Sequence, residues 1–209
     1  MTNPAARLSF VMMLLSLRPA AAATRTFVID SDASSVRIRA GKTGIGSFAG
    51  HEHEILGRSI HGEVLADFED LPRSSVEVTV NARSLTVVAE GEPEGDAPKV
   101  EQAMKGPQVL HVARFPAIGF RSRQVTGKQL APGSYELTIA GDFSLHGAVK
   151  PMAVQLQAEV HGDTLVGTCK LQVKQTDFGI KPTVAAGGLV KVEDEVTVTL
   201  RVVARAGGP

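Results

Sequence analysis

Hydrophobic and polar positions alternate along this chain with a period of two, and the pattern recurs from segment to segment. In Ser75 to Asn81, Val76, Val78 and Val80 alternate with Glu77 and Thr79. Gly62 to Phe68 repeats it, with Val64, Ala66 and Phe68 set against Glu63 and Asp67. Ile118 and Phe120 stand against Arg121 and Arg123, and Tyr135, Leu137, Ile139 and Phe143 against Glu136, Thr138 and Asp142. Met152, Val154, Leu156, Ala158 and Val160 alternate with Gln155, Gln157 and Glu159. Leu165, Cys169, Leu171 and Val173 do so with Lys170, Gln172 and Lys174, and Val196, Val198, Leu200 and Val202 with Thr197, Thr199 and Arg201. Successive side chains of a strand point to opposite faces, so strict alternation predicts half-buried antiparallel strands. With Val36 to Arg39 and the stretch around His51 to Ile55, the expected total is eight or nine strands.

Turn chemistry separates these segments: Asp32-Ala33-Ser34, Leu71-Pro72-Arg73, Ala131-Pro132-Gly133 and His161-Gly162-Asp163. Only Lys99 to Val109 reads as helix, and the acidic stretch Glu90 to Pro98 before it reads as a solvated loop. No internal repeat or long linker divides the chain. One all-β domain with a short helical insertion follows, and the alternation fits a sandwich or a closed barrel equally well.

Composition then narrows the function. The chain has 209 residues, 22 basic and 22 acidic, with one cysteine. A chain with no basic excess lacks the electrostatic footprint of a nucleic-acid binder. One cysteine excludes an internal disulfide, a zinc ribbon and a CxxC redox site. Residues 1–23 carry a basic Arg7, an apolar run from Leu8 to Leu17 and the small-residue stretch Ala20 to Ala23, the order of a signal peptide. The apolar run is too short for a span, which needs about 20 residues. Cleavage after Ala23 is expected to deliver a periplasmic or secreted domain over residues 24–206. Arg7 and Arg18 leave with the peptide, so 20 basic residues then face the 22 acidic ones.

Catalytic motifs fail on inspection. Gly41-Lys42-Thr43 ends like a phosphate-binding loop, but the position five residues earlier, where a glycine is needed, is Val36. His51-Glu52-His53-Glu54 has no second histidine at the zinc-protease spacing, where Ile55 stands. Cys169 falls on a predicted inward face, where a thiol behaves as a small hydrophobe. No enzyme is expected.

His51 and His53 are the exception, because two residues apart on a strand they share one face. A tight hairpin at Leu56 to Ser59 would set His53 opposite Gly62 and His51 opposite Val64, turning both imidazoles inward and Glu52, Glu54 and His61 outward. Three roles stay open for such a pair: mutual and water-mediated hydrogen bonding, contact with a ligand head group, or metal binding with further ligands.

Several ordered elements resemble the YceI-like proteins, also called the polyisoprenoid-binding family. They are Phe27-Val28-Ile29-Asp30 with Ala33-Ser34-Ser35-Val36, then Val109 to Ser122 with Phe115-Pro116 and Phe120, then Gly141 to Pro151 (GDFSLHGAVKP), and finally Thr176 to Ile180 and Val192 to Val198. The resemblance covers about Arg25 to Ala204. It implies an antiparallel eight-stranded lipocalin-like barrel, usually periplasmic, that holds a long apolar isoprenoid such as a quinone tail or polyprenyl lipid without covalent chemistry. Eight strands close around space for one small ligand. The expected interior is Val64, Phe68, Val78, Phe120, Leu137, Ile139, Phe143, Val154 and Leu171, with His51 and His53 adding polarity where relatives carry a Gly-x-Phe-like segment. His146 and Lys150 match the family motif and read as ending and turning a strand. No nucleic-acid partner and no metal or other cofactor is expected beyond a bound lipid or quinone, and membrane contact would be transient. The competing readings are a metal-dependent protein built on His51 and His53, and a stress-associated β domain whose core is filled.

Overall fold

Alternation at period two folds into strands that pair in chain order. The structure is a computed structural model and describes residues 24–43, 52–90, 92–185 and 190–207. Its strands are β1 (Arg25–Ile29), β2 (Ser35–Thr43), β3 (His53–Gly57), β4 (Ile60–Ala66), β5 (Ser75–Asn81), β6 (Thr86–Val87), β7 (Ala117–Ala131), β8 (Ser134–Leu145), β9 (Ala148–His161), β10 (Thr164–Lys174), β11 (Val184–Ala185) and β12 (Val190–Ala206). A single helix, α1 (Ala97–Lys105), lies between β6 and β7. The predicted helix, Lys99 to Val109, is shifted toward the N-terminus by Pro98 in the first turn and by the stop at Gly106-Pro107.

The register joins the short strands into longer staves. β1 and β2 both run along β12, with Phe27 opposite Ala206 and Val36 opposite Leu200. β4 and β3 run beside them in the same way, Val64 opposite Phe27 and His53 opposite Ala40. β5 and β6 form the third stave, with Val80 opposite Ile60 and Val87 opposite Ile55. Adding β7, β8, β9, β10 and β12 gives eight antiparallel staves, each paired with the one before it, and β12 closes the ring. The fold is an all-β, closed, eight-stranded antiparallel barrel, and of the two architectures open to the sequence it is the barrel.

The breaks in the first three staves lie side by side and bond to one another. Ser31 Oγ donates to the Arg58 carbonyl at 2.9 Å, and the Ile60 N–H donates to Ser31 Oγ at 3.2 Å. The Asn81 N–H donates to the Ser59 carbonyl at 2.9 Å. Buried Ser34 receives the Val203 N–H at 2.9 Å, restoring a link that the interruption removes. Backbone groups freed by the kinks are thus paired, as burial demands.

One of these breaks corrects the hairpin expected at Leu56 to Ser59. The Ile60 N–H bonds the Arg58 carbonyl at 3.0 Å, closing a three-residue γ-turn that kinks the chain without reversing it. β3 and β4 therefore continue in one direction and do not pair. Gly62 stands opposite Val78, not His53, and Val64 lies between Phe27 and Val76. His51 lies outside the described residues, as do residues 1–23.

Packing is densest where the broken staves meet. Phe27, Ile60 and Leu85 are almost fully enclosed and form one cluster with Ile29, Val80 and Ala204; each such burial contributes about 1.5–3 kcal/mol. Phe27 meets Phe68 edge to face with centroids 6.2 Å apart, and Phe68 lies 5.6 Å from Tyr135. A second cluster of Leu145, Val173, Phe178 and Ile180 packs beside the β8–β9 turn.

Two predictions follow from these positions. Gly62 has φ of 138°, and a Cβ there would sit 2.0 Å from the Glu77 carbonyl oxygen. Gly62→Ala is expected to lower stability by about 1–3 kcal/mol in urea unfolding, and unchanged stability would contradict this register. Asp194 accepts the Thr176 hydroxyl at 2.6 Å and the Thr176 N–H at 2.9 Å, and these bonds, the hydroxyl first, hold its carboxyl below the ordinary value. A folded-state pKa lowered in this way contributes stability above the unfolded pKa that is lost as pH falls through the carboxylate range. Asp194→Asn is expected to flatten the acid limb of Tm plotted against pH.

Candidate functional site

Inward-facing positions of the staves surround a cavity of about 520 Å³. Val64 and Phe68 reach it from β4 and the turn after it, Val78 from β5 and Phe120 from β7. Leu137, Ile139 and Phe143 come from β8, Val154 from β9 and Leu171 from β10. Phe120, Leu137, Phe143 and Leu171 are only half-buried although they point inward, because their exposed surface faces the hollow. A volume in this range matches ordinary small-molecule pockets of about 300–1,000 Å³.

Parity along β7 changes midway. Ile118 and Phe120 line the wall, and so does Val125, five residues on, because a bulge between Ser122 and Gln124 flips the alternation. Cys169 also faces the hollow from β10, level with Leu156 and Leu200 on the neighbouring strands. Burial pushes its thiol pKa up.

His53 lines the wall beside Ala40, its cross-strand partner. It is inward as expected, although the register that places it there is with β2. Glu54, its neighbour, lies on the outer face and pairs with Arg37 and Arg39; Glu52 and His61 are exposed. His53 Nδ1 lies 2.6 Å from Glu92 Oε1, and the Glu92 side chain is only 2% exposed. The acidic stretch is therefore not simply a solvated loop: it turns Glu92 and Asp96 onto the cavity wall. Sequence reasoning missed Glu92, because its burial depends on a histidine 39 positions away. Among the described residues, no three His, Cys, Asp or Glu side chains converge on a point that could hold a metal ion.

The insertion covers part of the barrel end nearest His53. Val100, Ala103 and Met104 of α1 face the cavity, the i, i+3, i+4 spacing of one helix face. Glu101 ties the helix back to the barrel by accepting the Val87 N–H at 3.1 Å. Its hydrogen bond to Lys105, and secondarily the one from Val87, hold its carboxyl below the ordinary value while burial opposes them.

The end of the insertion is pinned at the turn between β8 and β9. His146 and Gly147 have φ of 52° and 77°, the left-handed pair that a type I′ hairpin requires. A histidine is held in this conformation because its Nδ1–H donates to the Phe178 carbonyl at 3.1 Å. Its ring also packs edge-on against Phe115 at 4.9 Å, and His111 meets Phe115 from 5.9 Å. Gly147 leaves room for that ring, since a Cβ would approach Phe115 Cε1 to 2.5 Å. Lys150 is exposed on β9 and is not a wall residue.

Comparison with known proteins agrees with this architecture. The sequence profile of the YceI-like domain matches residues 27–204. The "UPF0312 protein" of Shewanella denitrificans is 27% identical over 176 residues, 79% of this chain and 82% of the relative. A UPF0312 protein of Vibrio cholerae is 24% identical over 173 residues, covering 78% of this chain and 82% of its own. Among solved structures, Burkholderia cenocepacia BcnA superposes with a TM-score of 0.63 at 16% identity, over 84% of this chain and 98% of that one. The Campylobacter jejuni YCEI protein does so with a TM-score of 0.52 at 12% identity, over 73% and 84%. At those identities the structures speak for the fold, while the profile spans nearly the whole barrel and carries the family: this chain belongs to the YceI-like family.

Proposed function

We propose that the protein is an exported, non-catalytic carrier that holds one long apolar molecule, an isoprenoid lipid or quinone, inside its barrel. The observation that carries this reading is the cavity of about 520 Å³ walled by the predicted inner face. Burying an apolar chain there supplies about 25 cal/mol for each Å² removed from water. A preformed wall keeps the ordering cost of binding low.

The chemistry of the wall supports carriage over turnover. Its one thiol, Cys169, lies among aliphatic side chains with its thiolate disfavoured by burial. Export rests on the charged, apolar and small-residue order of residues 1–23. Among the described residues no helix is long and apolar enough to cross a membrane, which fits transient contact during lipid exchange.

Native mass spectrometry of protein recovered from its exporting cell is expected to show one co-purifying apolar ligand and a mature chain beginning at Thr24. Leu156→Trp, which projects an indole into the hollow, should abolish that ligand while leaving the β spectrum intact. The Cys169 thiol is expected to resist a charged alkylating reagent, to react with a small apolar one, and to be protected when a prenol is bound. An empty barrel that takes up no prenol, or a thiol indifferent to added prenol, would overturn the reading.

A further inference from the structure

Polar side chains on the cavity wall collect at one end. Lys42, His53, Glu92, Asp96, Gln175 and Thr183 all belong to it. Register and hydrogen bonds tie the strands that bear them together. Lys42 pairs with Val192, the Val192 N–H donates to the Thr183 carbonyl at 2.9 Å, and Gln175 Nε2 donates to the Glu193 carbonyl at 2.8 Å. His53 closes the arc to Glu92.

The opposite end is largely apolar, and each of its hydroxyls already has a hydrogen-bond partner. Phe68, Tyr135 and Leu71 line it, with the Tyr135 hydroxyl bonded to Gln129 and the Ser74 hydroxyl to the Asp67 backbone. A ligand with polar groups at both ends would leave one of them unpaired against this aromatic wall, which burial penalises.

The charge at the polar end points further. Among the described residues, Lys42 is the only lysine on the wall and no arginine lines it, while Glu92 and Asp96 supply two carboxylates. Asp96 is paired with Lys99 and Glu92 with His53. Exposed Glu90 and Glu94 add negative charge on the same loop. Phosphate recognition relies on arginine forks or several convergent donors, and a phosphate here would instead be drawn out of water beside two carboxylates, an arrangement that rejects it.

From this we infer that the ligand is a single-headed lipid with an uncharged hydrogen-bonding head, held head-up beneath the insertion and tail-down toward Phe68 and Tyr135. The inference rests on the carrier reading above and adds the orientation and the head-group class.

Geranylgeraniol and geranylgeranyl phosphate, titrated separately into the full mature protein, test it. The alcohol is expected to bind at least about tenfold more tightly at low salt, a discrimination of the size that like-charge contact produces. Added salt should narrow the difference, and so should Glu92→Gln with Asp96→Asn. The salt series in the wild-type protein carries the test if the double variant fails to fold. A diazirine at the alcohol end should crosslink to residues 92–104, and one at the tail end to residues 68–76. Equal or tighter binding of the phosphate overturns the head-group assignment, and reversed crosslinks overturn the orientation. Binding of neither lipid overturns the carrier reading and this inference together, which is a different result from loss of selectivity alone.

Discussion

Everything in this barrel depends on β12 having partners along both edges. One edge pairs with β10 from Thr164 to Lys174, and the other takes β2 and then β1 in succession. A sheet closed in this way joins its first stave to its last, although β9 meets β10 only from Leu156 to His161 and β7 meets β5 only from Ala117 to Arg121. The interruption between β1 and β2 would open a seam beside β12 if its groups were left unpaired. Ser34 prevents that by bonding both the N–H and the carbonyl of Val203, while the Asp30 N–H reaches the same carbonyl at 2.8 Å. The end at Phe27, Phe68 and Tyr135 is packed with rings.

A hollow survives because of which side chains the strands turn inward. Valine, alanine, leucine and isoleucine dominate the wall, and the chain has no tryptophan and one tyrosine. Close packing would need larger side chains to meet at the axis. Instead the large rings of the described residues gather toward the two ends: Phe27, Phe68 and Tyr135 at one, and Phe115, Phe143 and Phe178 around the β8–β9 turn, with Phe120 beside Phe143. Closing the ends with aromatics and leaving the middle aliphatic separates stability from capacity along the barrel axis.

Much of this was legible in the sequence because period-two alternation is local. Ser75 to Asn81 was read to the residue, and the residues expected inside from Val64 to Leu171 do line the wall. What escaped was long-range. The γ-turn at Arg58 bears no glycine or proline of its own to distinguish it from a hairpin, so the expected partner of His53 is wrong, while its inward direction holds because it shares a face with buried Ile55. The bulge in β7 likewise carries no signal in Ser122-Arg123-Gln124. Glu92 looked like one acid among several in a solvated loop, and only the folded barrel brings His53 against it.

The His53–Glu92 contact fastens the acidic loop to the cavity edge. A carboxylate whose side chain is 2% exposed is costly to bury unless a donor meets it, and the His53 imidazole is one group that meets Glu92. The aliphatic wall could hold many apolar chains equally well, because dispersion and desolvation discriminate weakly between molecules of similar length. Hydrogen-bonding groups at a cavity edge discriminate more strongly, since a mismatched partner leaves them unpaired. For the carrier proposed above, the barrel wall would therefore set how much a ligand can gain, and the small polar arc between β2, β3 and the insertion would set which ligand gains it.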